Sequence, residues 1–316
     1  MKLLALTTQL LEIILAVLAA PLLLGWVNQC RAWLQNRSAP SIWQPYRGLH
    51  KLFYKDAVVA SNASSLFRAA PYVVFSSMAL AAAIIPSLGT RLPFTAAADG
   101  IALVGLFATA RVFVSLAAMD VGTAFGTLGA RREMMIGFLA EPALLMVLFV
   151  AAMISQTTSL ALIAERLSGG AVVLYPSLAF TAVAFTLVLL AENARIPVDN
   201  PATHLELTMI HEAMLLEYSA RHLALMEWAA ALKLFNYACI GIALFIPFGV
   251  ASQLQGPVGL AMAVPILALK LLLAGAALAV LETVSAKLRV FRAPEFLATA
   301  FLLAVLGMLV HLLLGA

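Results

Sequence analysis

Charge is scarce in this 316-residue chain. Asp, Glu, Lys and Arg make up 11% of it, against about a quarter in soluble domains, while 64% is hydrophobic and the mean hydropathy is +1.02. A soluble domain is excluded, and an integral membrane protein is indicated. Cysteine is nearly absent as well: Cys30 and Cys239 stand far apart with no C-x-x-C, so the chain by itself lacks the four thiolates that hold an iron–sulfur cluster. Any redox centre therefore belongs to a partner. No P-loop, G-x-G-x-x-G or G-x-S-x-G occurs. "HEAML", His211 to Leu215, has Leu215 where a zinc protease needs its second histidine. Neither a catalytic residue nor a metal site is predicted. No basic cluster carries the interleaved aromatics of a nucleic-acid surface.

What is present is hydrocarbon. Runs long enough to cross a bilayer, about 17 to 25 residues, fall at roughly 3–26, 71–89, 99–120, 136–156, 172–191, 226–250, 258–282 and 296–315. The expected fold is an all-α membrane protein of eight transmembrane helices in a single domain, residues 1–316. The first run resembles a signal peptide, but Glu12 interrupts its apolar stretch and further spans follow, so it reads as a retained helix. Lys and Arg crowd the loops near 27–70, 121–135, 192–225 and 283–295, with few in the alternate loops. The positive-inside rule then puts those four loops in the cytoplasm and both termini in the periplasm.

The loop from Asn28 to Ala70 is too long for a plain connector. "LHKLFYKDAVV" places Leu49, Leu52, Phe53 and Val59 near one helical face, which predicts an amphipathic helix in the interface plane. Ionisable residues inside the spans are costly and face the bundle interior or water. Arg111, Lys233 and Lys270 are expected in buried ion pairs, with Glu192 and Glu282 as candidate partners for the lysines. Glu141 and Glu192, at the cytoplasmic ends of adjacent spans, suit a shared wet pocket that passes protons. Residues 191–222 are the densest charged stretch, carrying Glu192, Arg195, Asp199, Glu206, Glu212, Glu217 and Arg221 with His204, His211 and His222. Pro197 and Pro201 end the preceding helix, and Asn200 with Pro201 predicts a new one. On it, Glu206 and Glu217 would share a face, as would the three histidines. Rises of about 10 Å or more between the histidines rule out one shared metal. Two functions fit: an acidic funnel feeding Glu192, or an ordinary capped helix with solvated charges.

"AENARIPVDNPATHLEL" and the following "LEYS" resemble the signature loop of the subunit 1 family of respiratory complex I, which runs AETNRAPFDLPEAESEL and then EYSG. Glu192, Arg195, Pro197, Asp199, Pro201, Glu206, Glu217 and Tyr218 fall on matching positions. "QPYRGLHKLFYKD" is similar to that family's QPxADxxKLxxKE at Gln44, Pro45, Lys51, Leu52 and Lys55, and Glu141 before Pro142 resembles a family glutamate. Departures point to a branch. Ala202 and His204 stand where quinone-reducing members carry glutamates, three extra residues separate Glu206 from Glu217, and Gly48 replaces an aspartate. "WQPYRGLHKLF", "GARREMMIGFLAEP" and "AKLRVFRAPEF" look closer to the membrane subunit of group 4 energy-converting nickel–iron hydrogenases, of the formate hydrogenlyase and hydrogenase-4 type.

That resemblance implies a non-redox anchor and coupling subunit in a bacterial or archaeal cytoplasmic membrane. It implies a hydrogenase-like large subunit and an iron–sulfur small subunit at the cytoplasmic face, holding the nickel–iron centre and the clusters, with antiporter-like subunits and lipid alongside. The coupling path would use Glu192, Glu141, Asp199, Glu206, Glu217, Arg195, Lys233, Lys270 and Glu282. The docking face would use Gln44, Arg47, Lys51, Lys55 and Arg221. The alternative is a wall of a quinone chamber in a complex I-like oxidoreductase. A transporter acting alone is disfavoured, since no internal repeats or paired broken helices are evident.

Overall fold

The computed structural model describes residues 2–89, 99–169, 175–199, 209–249, 257–286, 288 and 292–314. Glu206, with Arg91, Asn200, Pro201, His204, Lys287 and Arg289, lies outside the described residues. Among those described, the chain is helical with one isolated bridge, Asp99 to Ser159. The helices are α1 (Lys2–Leu34), α2 (Gln44–Phe53), α3 (Ser65–Ile84), α4 (Gly100–Asp120), α5 (Ala124–Ser155), α6 (Leu160–Gly169), α7 (Pro176–Glu192), α8 (His211–Leu215), α9 (Ala220–Phe245), α10 (Pro257–Val284) and α11 (Ala293–Leu314). Seven are long and apolar enough to cross a membrane, α1, α3, α4, α5, α9, α10 and α11. The 17-residue α7 reaches the lower length limit for a span. The all-α membrane architecture is as expected.

Side chains that accept from the free N–H groups of the first turn set several helix starts. Ser64 accepts from Leu66 N at 3.1 Å, Asp99 from Ile101 N at 3.0 Å and Thr123 from Gly126 N at 3.4 Å. Gly122, at φ +74°, makes the left-handed turn between α4 and α5. Contacts between helices use small residues, such as Ala20, Ala70, Ala81, Ala140, Ala184 and Ala300, all fully buried. Large apolar side chains such as Leu269, Leu273 and Leu302 stay exposed, as lipid-facing positions do. Helix α7 packs on α5, α9 and α11, and α4 packs on α3 and α5. Residues of α4, α5, α7 and α9 line one shared cavity.

Several boundaries differ from the sequence reading. The segment 121–135 is largely not a loop: α5 begins at Ala124, so Arg131, Arg132 and Glu133 are helical, because Thr123 caps the helix and isolated charges do not stop one. The periplasmic loop expected after Ser155 contains α6. Helix α2 starts at Gln44 and stops at Phe53, leaving Lys55 and Val59 beyond its end. No single helix joins His211 to His222. Helix α8 ends at Leu215, and Ser219 is extended ahead of α9, so Glu217 sits at a turn and the two histidines lie on separate helices.

Candidate functional site

Arg111, in the middle of α4, is buried at 6% exposure. Its side chain crosses α5 over Gly137, where a Cβ would approach Arg111 Cδ to 2.7 Å. Glu133 and Glu141 lie four residues either side of that glycine, on the same helical face. Arg111 thus sits between two carboxylates of α5. Its Nε donates to Glu133 Oε1 at 3.3 Å, one Nη donates to Glu141, and the other donates to Glu192 at the end of α7. Lys233 Nζ of α9 meets the second oxygen of Glu192 at 2.8 Å. His211 Nδ1 of α8 meets the second oxygen of Glu133 at 3.3 Å, and His211 N donates to Asp199 Oδ2 at 3.2 Å.

Three carboxylates, Glu133, Glu141 and Glu192, face two permanent cations, Arg111 and Lys233. Buried charge must be balanced, so the cluster is one positive charge short. A protonated His211, or a proton shared among the carboxylates, supplies it. His211 lies outside the spans. Burial opposes its charge, but the Glu133 carboxylate outweighs burial and raises its pKa above 6.5. Glu192 and Glu133 are almost fully enclosed, whereas the Glu141 side chain is 33% exposed and opens the cluster to its surroundings. A cavity of about 80 Å³ adjoins the cluster, with Phe107, Arg111, Glu133, Glu192, His211 and Lys233 in its wall.

A second ion-pair group ties helix ends together. Glu282, buried at the end of α10, pairs with Arg31 of α1 at 3.4 Å and with Arg195, after α7, at 3.2 Å.

Residues named from the sequence therefore separate into groups. Glu192, Glu141, Lys233 and Asp199 are brought together; Glu282 and Arg195 form their own pair. Neither expected lysine partnership with Glu282 occurs, because the two arginines lie nearer that carboxylate. Lys270 is paired with no acid among the described residues. Its Nζ donates to the carbonyls of Ile246 and Phe248 at the end of α9, where a cation also complements the helix dipole. Glu217 takes no part in these ion pairs. Glu133 was missed because its segment read as a loop; its spacing of eight from Glu141, with Gly137 midway, was the available signal.

Gln44, Arg47, Lys51, Lys55 and Arg221 are all exposed. Two links join their segments. Ser219 Oγ accepts from Val58 N at 2.9 Å and donates to Val58 O at 2.7 Å. Tyr218 stacks on Phe67 with ring centroids 4.1 Å apart and donates to Phe67 O at 3.1 Å. The loop after α2 is thereby fixed to the entry of α9.

A bundle of long apolar helices that encloses a shared ion-pair cluster defines a multi-pass membrane protein of the all-α class. The chain belongs to the NADH dehydrogenase family, the complex I subunit 1 family, whose model matches residues 7–313. Hydrogenase-4 component C of Escherichia coli (strain K12) is 36% identical over 245 residues, 77% of this chain and 76% of the relative. Formate hydrogenlyase subunit 4 of the same organism is 30% identical over 292 residues, 92% and 94% of the two chains. A chain of the membrane-bound sulfane sulfur reductase, an archaeal respiratory membrane complex, shares the fold with a TM-score of 0.82, covering 96% of this chain and 98% of its own at 20% identity.

Proposed function

We propose that this chain is the membrane anchor and coupling subunit of a membrane-bound hydrogenase of the formate hydrogenlyase type. In this reading it links electron transfer in a cytoplasmic arm to proton or sodium translocation. The observation that carries it is Arg111 held by glutamates from two other helices, with Lys233 on the far side of Glu192. A charge change at the cytoplasmic face alters which carboxylate holds the proton, because the pairs share one guanidinium and separate by small side-chain movements. No electron passes through the chain in this account. Electrons stay on the iron–sulfur clusters and nickel–iron centre of partner subunits, and the change reaches antiporter-like subunits beside it in the cytoplasmic membrane.

The basic loops and α2 face the cytoplasm in this reading, and both termini face outward. Gln44, Arg47, Lys51, Lys55 and Arg221 contact the hydrophilic arm. The similarity to hydrogenase-4 component C and formate hydrogenlyase subunit 4 supports the class of complex. Isolation through a tag on this chain tests it. A large subunit with nickel and a small subunit with iron–sulfur clusters are expected to copurify. Isolation with antiporter-like subunits alone, or with no hydrophilic partner, contradicts the proposal.

The cavity beside Arg111, at about 80 Å³, is smaller than small-molecule sites of about 300 to 1,000 Å³, which counts against the alternative of a quinone chamber. A photoreactive quinone analogue that labels Phe107 or Met226 would support a quinone chamber.

A further inference from the structure

We infer that Glu12 is a second proton-holding site, a neutral carboxylic acid at the opposite end of the bundle from the Arg111 cluster and linked to it along α9. Glu12 lies in α1 and is fully buried. Its Oε1 accepts three hydrogen bonds from the turn after α3: Ser87 N at 2.7 Å, Ser87 Oγ at 2.6 Å and Leu88 N at 2.8 Å. Its Oε2 is buried without a partner. No cation pairs with it among the described residues. An ionised carboxylate enclosed in this way lacks the counter-charge that a membrane interior demands. The neutral acid needs none, and with Oε1 saturated, the proton resides on Oε2.

Ser87 also lines a small cavity of about 10 Å³, room for about one water, whose wall includes Cys239 and Lys270. These are the titratable groups near Glu12: the Cys239 thiol from α9, and the Lys270 ammonium from α10 across the cavity. Lys270 spends its hydrogen bonds on the carbonyls that end α9.

Along α9, Cys239 stands six residues beyond Lys233, about 9 Å of helix rise. Between them, Asn236 and Tyr237 lie on the same face as Lys233 at spacings of three and four. Asn236 Nδ2 donates to Met78 O at 2.9 Å, and its Oδ1 is buried without a partner. The Tyr237 hydroxyl is likewise buried and unpartnered, with its ring stacked on Phe107 at 5.0 Å. Buried polar atoms of this kind are satisfied by internal water. Glu12, Asn236 and Tyr237 thus mark a hydrated stripe toward Glu192 and Lys233. This link rests on the coupling function proposed above; the protonation of Glu12 does not.

Infrared difference spectroscopy of the full chain in nanodiscs tests both parts and needs neither partner nor turnover. The wild type is expected to show a protonated-carboxyl C=O band that Glu12→Gln removes and Glu12→Asp shifts. Absence of any band sensitive to either variant overturns the neutral acid. On transfer to deuterated buffer, Tyr237→Phe, which keeps the ring stack, is expected to slow exchange of that band about tenfold, equal to about 1.36 kcal/mol of barrier. An unchanged exchange rate overturns the link along α9.

Discussion

At the residue scale, the site turns on how many charges share one guanidinium. Arg111 alone could balance one of the carboxylates around it. Lys233 balances a second, and His211 is placed to balance the third through Glu133. Because the imidazole is charged more readily in the folded chain than its ordinary value of 6.5 allows, its contribution to stability is complete below about pH 6.5. It is lost as the pH rises through the raised value. Thermal unfolding of the detergent-solubilised chain across that range should show the melting temperature falling as the pH rises. His211→Gln should lower the melting temperature at low pH and flatten the fall. An identical pH profile in wild type and variant would show that His211 carries no charge for Glu133.

At the element scale, Gly137 decides whether α4 and α5 approach closely enough for the cluster to form. Alanine there would place a Cβ 2.7 Å from Arg111 Cδ and 2.9 Å from its Cζ, so the guanidinium must move off one carboxylate. Gly137→Ala is expected to destabilise the chain by about 1 to 3 kcal/mol, the usual range for overpacking, read as a lower melting temperature. Gly105→Ala, whose added Cβ meets open space, serves as the control and should be near neutral. Much of this scale is legible in the sequence. Apolar length locates the spans, and Pro197 marks the end of α7 to within a few residues. The start of α5 is less legible, because Arg131, Arg132 and Glu133 look like loop chemistry, whereas Thr123 and packing make them helical. The ten residues of α6 are too few and too mixed for periodicity to announce them. Which acid meets which cation was open as well: Glu282 was a candidate for a lysine, and the ends of α1 and α7 brought arginines to it instead.

At the scale of the whole molecule, the loop after α2 and the entry to α9 form one face through Ser219, Val58, Tyr218 and Phe67. Under the proposed topology that face meets the hydrophilic arm. Crosslinkers at Lys51, Lys55 and Arg221→Cys are expected to capture the same partner subunit in the isolated complex. Capture of that subunit from the opposite membrane face, with none from these positions, would reverse the orientation.

The central claim is that proton uptake and release at Glu192, as its pairs with Arg111 and Lys233 loosen and re-form, couples electron transfer to ion translocation, and Glu192→Gln tests it most directly. Glutamine keeps the shape of the side chain and one of the two acceptors that meet Arg111 and Lys233, but it can neither take up nor release the proton. The measurement is proton or sodium uptake by proteoliposomes containing the whole complex, taken together with electron transfer from an artificial donor. The account predicts an assembled complex that transfers electrons while ion uptake is lost or strongly reduced, with Glu165→Gln, outside the cluster, unaffected. Ion uptake per electron equal to wild type in Glu192→Gln would contradict it and leave the cluster a structural joint between helices.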